Sequence, residues 1–177
     1  METAIISIVC IALIVLGGMT MSQGFLSSVD STTTSLVEMS EQAGEIARTE
    51  LSPVGAQMLS SSLLELVLSN SGQTKLNDFD KWDFIIQYYD SSSNYYVKWL
   101  PYVEGSLGDD QWTREGIYLD AAEGTPEVFE PRILNPGEEV KFRAKLNPAP
   151  GSGTVGLVVM GTPNGVPVEL SFNGYSP

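Results

Sequence analysis

The sequence predicts an α+β protein in which one long N-terminal α-helix precedes an antiparallel β-sandwich. Two observations carry that prediction. No charged residue occurs from Thr3 to Val29, and apolar residues are nearly continuous from Ile5 to Leu16. From Ser62 onward the pattern changes to short β-branched and aromatic runs separated by turn residues.

The first element is apolar on every side over Ile5 to Leu16, which is shorter than the roughly 20 residues needed to cross a bilayer. Continuing through Gly17, Gly18, Met19 and Met21 to Phe25 and Leu26 gives a stretch that just spans. The first basic residue is Arg48, so the positive n-region of a secretory signal peptide is lacking. After Leu26 the pattern becomes a stripe: Val29, Leu36, Val37, Met39, Ala43, Ile46 and Ala47 recur at helical spacing. Asp30, Glu38, Glu41, Glu45 and Arg48 lie opposite. The segment 27–35, rich in Ser and Thr, has poor helix propensity and requires packing to stay helical. Pro53 ends the helical pattern. The expected organisation is a helix over 1–52, a linker over 53–62 and the sandwich over 63–177.

Strands are expected over 63–68, 82–89, 95–100, 116–119, 139–146, 154–160 and 166–172. The run 139–146 alternates strictly, with Val140, Phe142, Ala144 and Leu146 on one face. Asn164-Gly165 marks a hairpin. Seven short strands at regular spacing point to an immunoglobulin-like antiparallel β-sandwich, without the cysteines of a true immunoglobulin domain. Among Tyr88, Tyr89, Tyr95, Tyr96, Trp99 and Tyr102, alternation places half inside and leaves half for an interface.

Composition excludes several chemistries. The chain has no histidine and a single cysteine, which removes Ser-His-Asp triads, Cys-His pairs and His-ligated zinc. That cysteine, Cys10, lies in the apolar block and reads as a small buried hydrophobe. Nine basic residues scattered among twenty-two acidic ones, a net charge of −13, argue against a nucleic-acid partner. Asp78, Asp80 and Asp83 form a weak candidate for a hard cation, against the plainer reading of a solvated turn. No cofactor and no catalytic residue is expected.

An uncharged helix followed by an acidic sandwich resembles the archaellins, the archaeal flagellins, within the type IV pilin-like superfamily. The resemblance is carried by Ile5 to Leu26, by the segment LLELVLSNSGQTKL at 63–76, and by Leu134-Asn-Pro-Gly-Glu-Glu139 leading into a strand. Members carry a short basic leader removed by a prepilin-type peptidase, so this sequence is expected to represent a mature form. The glutamate that pilins carry at the fifth mature position is Ile5 here, which favours an archaellin. The resemblance implies a structural subunit of an extracellular filament and no enzyme activity. It implies a homopolymer, inserted in the membrane before assembly by an ATPase and platform machinery. The expected helix-core assembly residues are Ile5, Ile6, Ile8, Val9, Ile11, Leu13, Ile14, Leu16, Met19, Met21, Phe25, Leu26, Val29 and Leu36. Two alternatives remain open: a pilin-like adhesion subunit, and a membrane-anchored archaellum accessory or stator protein with a β-sandwich binding domain.

Overall fold

The computed structural model describes residues 2–176, with the side chains of residues 2–4 and 26 outside the description. It divides into two compact units, 1–44 and 45–177.

Helix α1 runs unbroken over Glu2–Arg48, 47 residues and hence about 70 Å at roughly 1.5 Å per residue. The Ser/Thr-rich segment does not interrupt it. The hydroxyls of Thr32, Thr33 and Thr34 donate to the carbonyls of Ser28, Val29 and Asp30, four residues back, at 2.8, 2.9 and 3.0 Å. Thr20 donates likewise to the Gly17 carbonyl, three residues back, at 2.9 Å. Each hydroxyl is satisfied inside the helix, so these polar side chains make no demand on a partner and can enter apolar surroundings.

The helix stops at Arg48 rather than residue 52, and the stretch 53–62 expected as a linker is largely strand β1, Leu51–Met58. The remaining strands are β2 (Leu63–Asn70), β3 (Asp83–Tyr89), β4 (Tyr95–Trp99), β5 (Gln111–Asp120), β6 (Thr125–Pro126), β7 (Glu139–Lys145), β8 (Val155–Gly161) and β9 (Pro167–Asn173). One sheet has the order β1-β2-β7-β5-β6 and the other β4-β3-β8-β9. Among the described residues every ladder between these strands is antiparallel. Pro53 is tolerated because β1 is an edge strand, where a missing N–H leaves no gap in the ladder.

The inner faces of both sheets share one core. Val140, Phe142, Ala144 and Leu146 point inward as their alternation requires, facing Phe84, Ile86, Val158 and Met160 from the second sheet. Trp82, Phe79, Phe142 and Trp112 form its aromatic centre, with ring centroids 5.1 to 5.8 Å apart. Contacts of this kind add to the area term through ring quadrupoles.

Candidate functional site

The expected assembly residues lie on one continuous helix, and nothing in their own unit covers them. Ile5, Ile6, Ile8, Val9, Ile11, Leu13, Ile14 and Leu16 are all exposed, Ile14 to 73%. Met19, Met21, Phe25, Val29 and Leu36 are exposed as well. The side chain of Leu26 lies outside the described residues. Cys10, expected to be buried, is exposed with its neighbours. The reason is simple: a helix that is apolar all round has no face it can bury against itself. By length and composition the helix is able to cross a membrane. Its uncharged part, residues 3–29, is helical throughout and spans roughly 40 Å at ~1.5 Å per residue, more than a ~30 Å hydrocarbon core.

Two motifs named from the sequence meet in space at the other unit. Asn70, fully buried, donates its side-chain N–H groups to the carbonyls of Thr74 (2.8 Å) and Leu134 (3.0 Å). Its side-chain oxygen accepts from the Gly72 N–H at 3.1 Å. Leu76 and Leu134 exchange two backbone hydrogen bonds of 3.0 and 2.7 Å. Glu138 locks the second motif by accepting from the Asn135 N–H at 2.8 Å. The same loop receives the end of the helix: the Gln73 N–H donates to the Arg48 carbonyl (2.8 Å) and the Gly72 N–H to the Glu50 carbonyl (3.0 Å). A helix end leaves carbonyls without intrahelical partners, and here one finds its donor in the 70–76 loop. A Cβ on Gly72 would sit 2.5 Å from both the Arg48 carbonyl oxygen and the Glu50 nitrogen, so only glycine permits this approach. Thr49 is buried at the same place, accepting from the Asn164 side chain at 2.8 Å.

The aromatic residues divide as alternation predicts. Tyr88 is buried, Tyr96 and Tyr102 pack against the core, and Tyr89, Tyr95 and Trp99 stand outward at 47, 53 and 60% exposure. Burial, with the nearby Asp110 and Asp90 carboxylates, pushes the Tyr88 hydroxyl far above its ordinary range. In the β3–β4 turn, Asp90 accepts from the Ser92 and Asn94 N–H groups and the Asn94 side chain, all within 2.9 Å. These donors, the Asn94 side chain foremost, hold its carboxyl below the usual carboxylate range.

The cation candidate does not form. Asp78 pairs with Lys81 at 2.8 Å, Asp83 accepts from the Trp99 indole at 2.9 Å, and Asp80 lies in the first turn of the short 3-10 helix. Among the described residues no group of three or more acidic, histidine or cysteine side chains could hold a metal ion. The turn thus directs the Asp78 and Asp83 carboxylates to different neighbours.

One exposed feature is not among the expected site residues. Val128 and Phe129 project from the loop after β6, at 75 and 94% exposure. The signal was present: an apolar pair between Glu127 and Glu130, bracketed by Pro126 and Pro131.

No family model and no curated protein sequence matches the chain. Solved structures do. The archaeal flagellum of Methanospirillum hungatei strain JF1 superposes with a TM-score of 0.60 at 15% identity, covering 96% of this chain and 93% of that one. The archaellum periplasmic stator protein FlaG from Sulfolobus acidocaldarius gives a TM-score of 0.51 at 22% identity, covering 70% of this chain and 99% of that one. In the FlaF and FlaG stator complex of the same organism, the match covers 70% of this chain and 89% of the other, again at 22% identity. From the exposed N-terminal helix to the two antiparallel sheets, the chain has the archaellin-like fold.

Proposed function

We propose that the chain is the structural subunit of an extracellular helical filament of archaellum type, assembled through its N-terminal helix. The observation that carries this reading is a 47-residue helix whose uncharged, apolar surface is left exposed by its own chain. Such a surface requires lipid or copies of itself. The likeness to the Methanospirillum filament supports the second host, because it extends over helix and sandwich together. In this reading Ile5 to Leu36 leave the membrane and become buried among neighbouring helices, Cys10 with them. At roughly 25 cal/mol per Å2, a dozen such side chains contribute on the order of 20 kcal/mol gross. Most of that is offset, since lipid is already an apolar host. Packing of like helices and the internally bonded threonines then decide the balance.

The subunit itself performs no chemistry; a prepilin-type peptidase and an assembly ATPase with its platform act on it. It resides in the membrane before assembly and at the cell surface afterwards. A second reading, a membrane-anchored accessory protein, draws support from the likeness to FlaG, which covers 99% of that chain and 70% of this one.

The substitution Leu13→Lys tests the first reading. It places a charge at the centre of the apolar helix, where burial without a counter-ion is strongly unfavourable. Filaments are expected to disappear while the sandwich melts as before. Normal filaments from this variant contradict burial of the helix.

A further inference from the structure

We infer that Phe129 is a knob that docks into a pocket on the sandwich of a second copy of this chain, head to tail; this rests on the reading of the chain as a polymer subunit. Phe129 is 94% exposed, the highest value among the described large apolar side chains. It is nevertheless held in place. The Glu127 carboxylate accepts from the Phe129 N–H at 2.6 Å and the Glu130 N–H at 3.1 Å. The Glu127 N–H is tied to the Ile117 carbonyl, and Glu130 pairs with Lys75 at 2.8 Å. Pro126 and Pro131 fix φ at both ends of the loop. An aromatic side chain presented on a loop ordered in advance binds without the entropy cost of ordering it.

A matching cavity lies on the outer face of the same sheet. It has a volume of about 400 Å3 and is lined by Val54, Gln57, Glu65, Val67, Ala122 and Lys141, among others. Cavities of roughly 300 Å3 and more accommodate groups larger than one benzyl ring. The bulge that throws Val54 outward from β1, at 53% exposure, forms its lip. Charge complementarity points to the same occupant. Five of the nine basic residues stand in ion pairs with carboxylates. Lys141 forms none among the described residues, and its ammonium lies over the Tyr118 ring at 4.9 Å. The knob arrives beside Glu127, while Glu130 is already paired with Lys75. Glu65 at the hole is held by Arg143 and Gln57, which leaves Lys141 as the charge there without an ion pair; on a chain of net charge −13 it suits a phenylalanine beside a carboxylate.

The polymer reading sets the symmetry. The knob follows β6 at one edge of the sheet, and the hole runs from β1 at the other edge across the outer face to Ala121 and Ala122. In a helical polymer a contact repeated from copy to copy is heterologous, so the knob of one copy enters the hole of the next.

The test uses the full chain carrying Cys10→Ser, Val54→Cys and Val128→Cys, which leaves Phe129 intact. Cells are oxidised, then examined by denaturing gel and by electron microscopy. Docking predicts a ladder of covalent oligomers beyond the dimer, absent from each single-cysteine variant. Adding Phe129→Ala, or separately Lys141→Glu, is expected to reduce the ladder at least about tenfold, as loss of an interface anchor does. Filaments without a ladder overturn the docking and leave the polymer reading intact. A ladder without filaments supports the docking and overturns the polymer reading, and the absence of both overturns both. A ladder that stops at the dimer, or one indifferent to both added substitutions, also overturns the docking.

Discussion

Asn70 and Gly72 show how two short motifs act at the scale of single residues. In sequence, 63–76 and 134–139 were separate resemblances; in space they are one buried hydrogen-bonded junction. The Asn70→Ala substitution takes one of two donors from the buried Leu134 carbonyl and leaves the part-buried Thr74 carbonyl without its side-chain donor. An unsatisfied buried polar group costs about 1–3 kcal/mol, so thermal denaturation of the sandwich is expected several degrees lower. Gly72→Ala brings a methyl group against two backbone atoms and is expected to destabilise by about 1–3 kcal/mol, as overpacking does. An unchanged melting temperature for both variants contradicts the junction. Asp90 supplies a pH signature. Its folded carboxyl titrates below the ordinary value of 3.8, because the Asn94 side chain and the turn N–H groups favour the charged form. The stability it contributes is therefore present above the ordinary carboxylate range and lost as pH falls through the lowered folded value. The gap in melting temperature between the parent chain and Asp90→Ala should be widest near neutrality and close on acidification below about pH 4.

Among elements, legibility in the sequence followed regularity. Strand β7 was readable because its inward positions keep strict parity from Val140 to Leu146. Strand β1 looks like a linker in sequence because a bulge at Val54 changes parity: Leu51 points inward, then Ala56 and Met58. Strand β5 has the same defect at Glu115, with Trp112 inward before it and Ile117 after, so only its second half was visible. One extra residue moves a whole strand's apolar set to the other parity, and period-two patterns fail there. The helix is legible in its apolar half; through 27–35 it continues despite poor propensity, with the threonine hydroxyls satisfied by carbonyls four residues back. The charged turn at 78–83 was misleading for the opposite reason, since proximity in sequence does not aim three carboxylates at one point. Continuity of the helix is testable. Thr33→Pro removes a backbone hydrogen bond in mid-helix at a cost of roughly 3 kcal/mol or more, and should abolish assembly while leaving the melting of the sandwich unchanged. Filaments of normal length from Thr33→Pro contradict an unbroken helix in the assembled state.

For the whole molecule, the division of labour is set by composition. Charge is concentrated in the sandwich, where Arg143 bridges Glu65 and Glu115 and Lys145 pairs with Asp109 across the outer face. Exposed pairs such as Lys145–Asp109 contribute little stability each, but an acidic exterior keeps a crowded polymer soluble. The apolar surface is concentrated in the helix, which its own chain does not bury. The central claim is that copies of the chain complete each other there. The most direct measurement is electron cryo-microscopy of material sheared from cells that produce this chain. The account predicts long filaments with the helices packed at low radius, Ile5 to Leu36 excluded from solvent, and the sandwiches outside. Recovery of the chain only from the membrane fraction, with no filament containing it, contradicts the account and favours the anchored accessory protein.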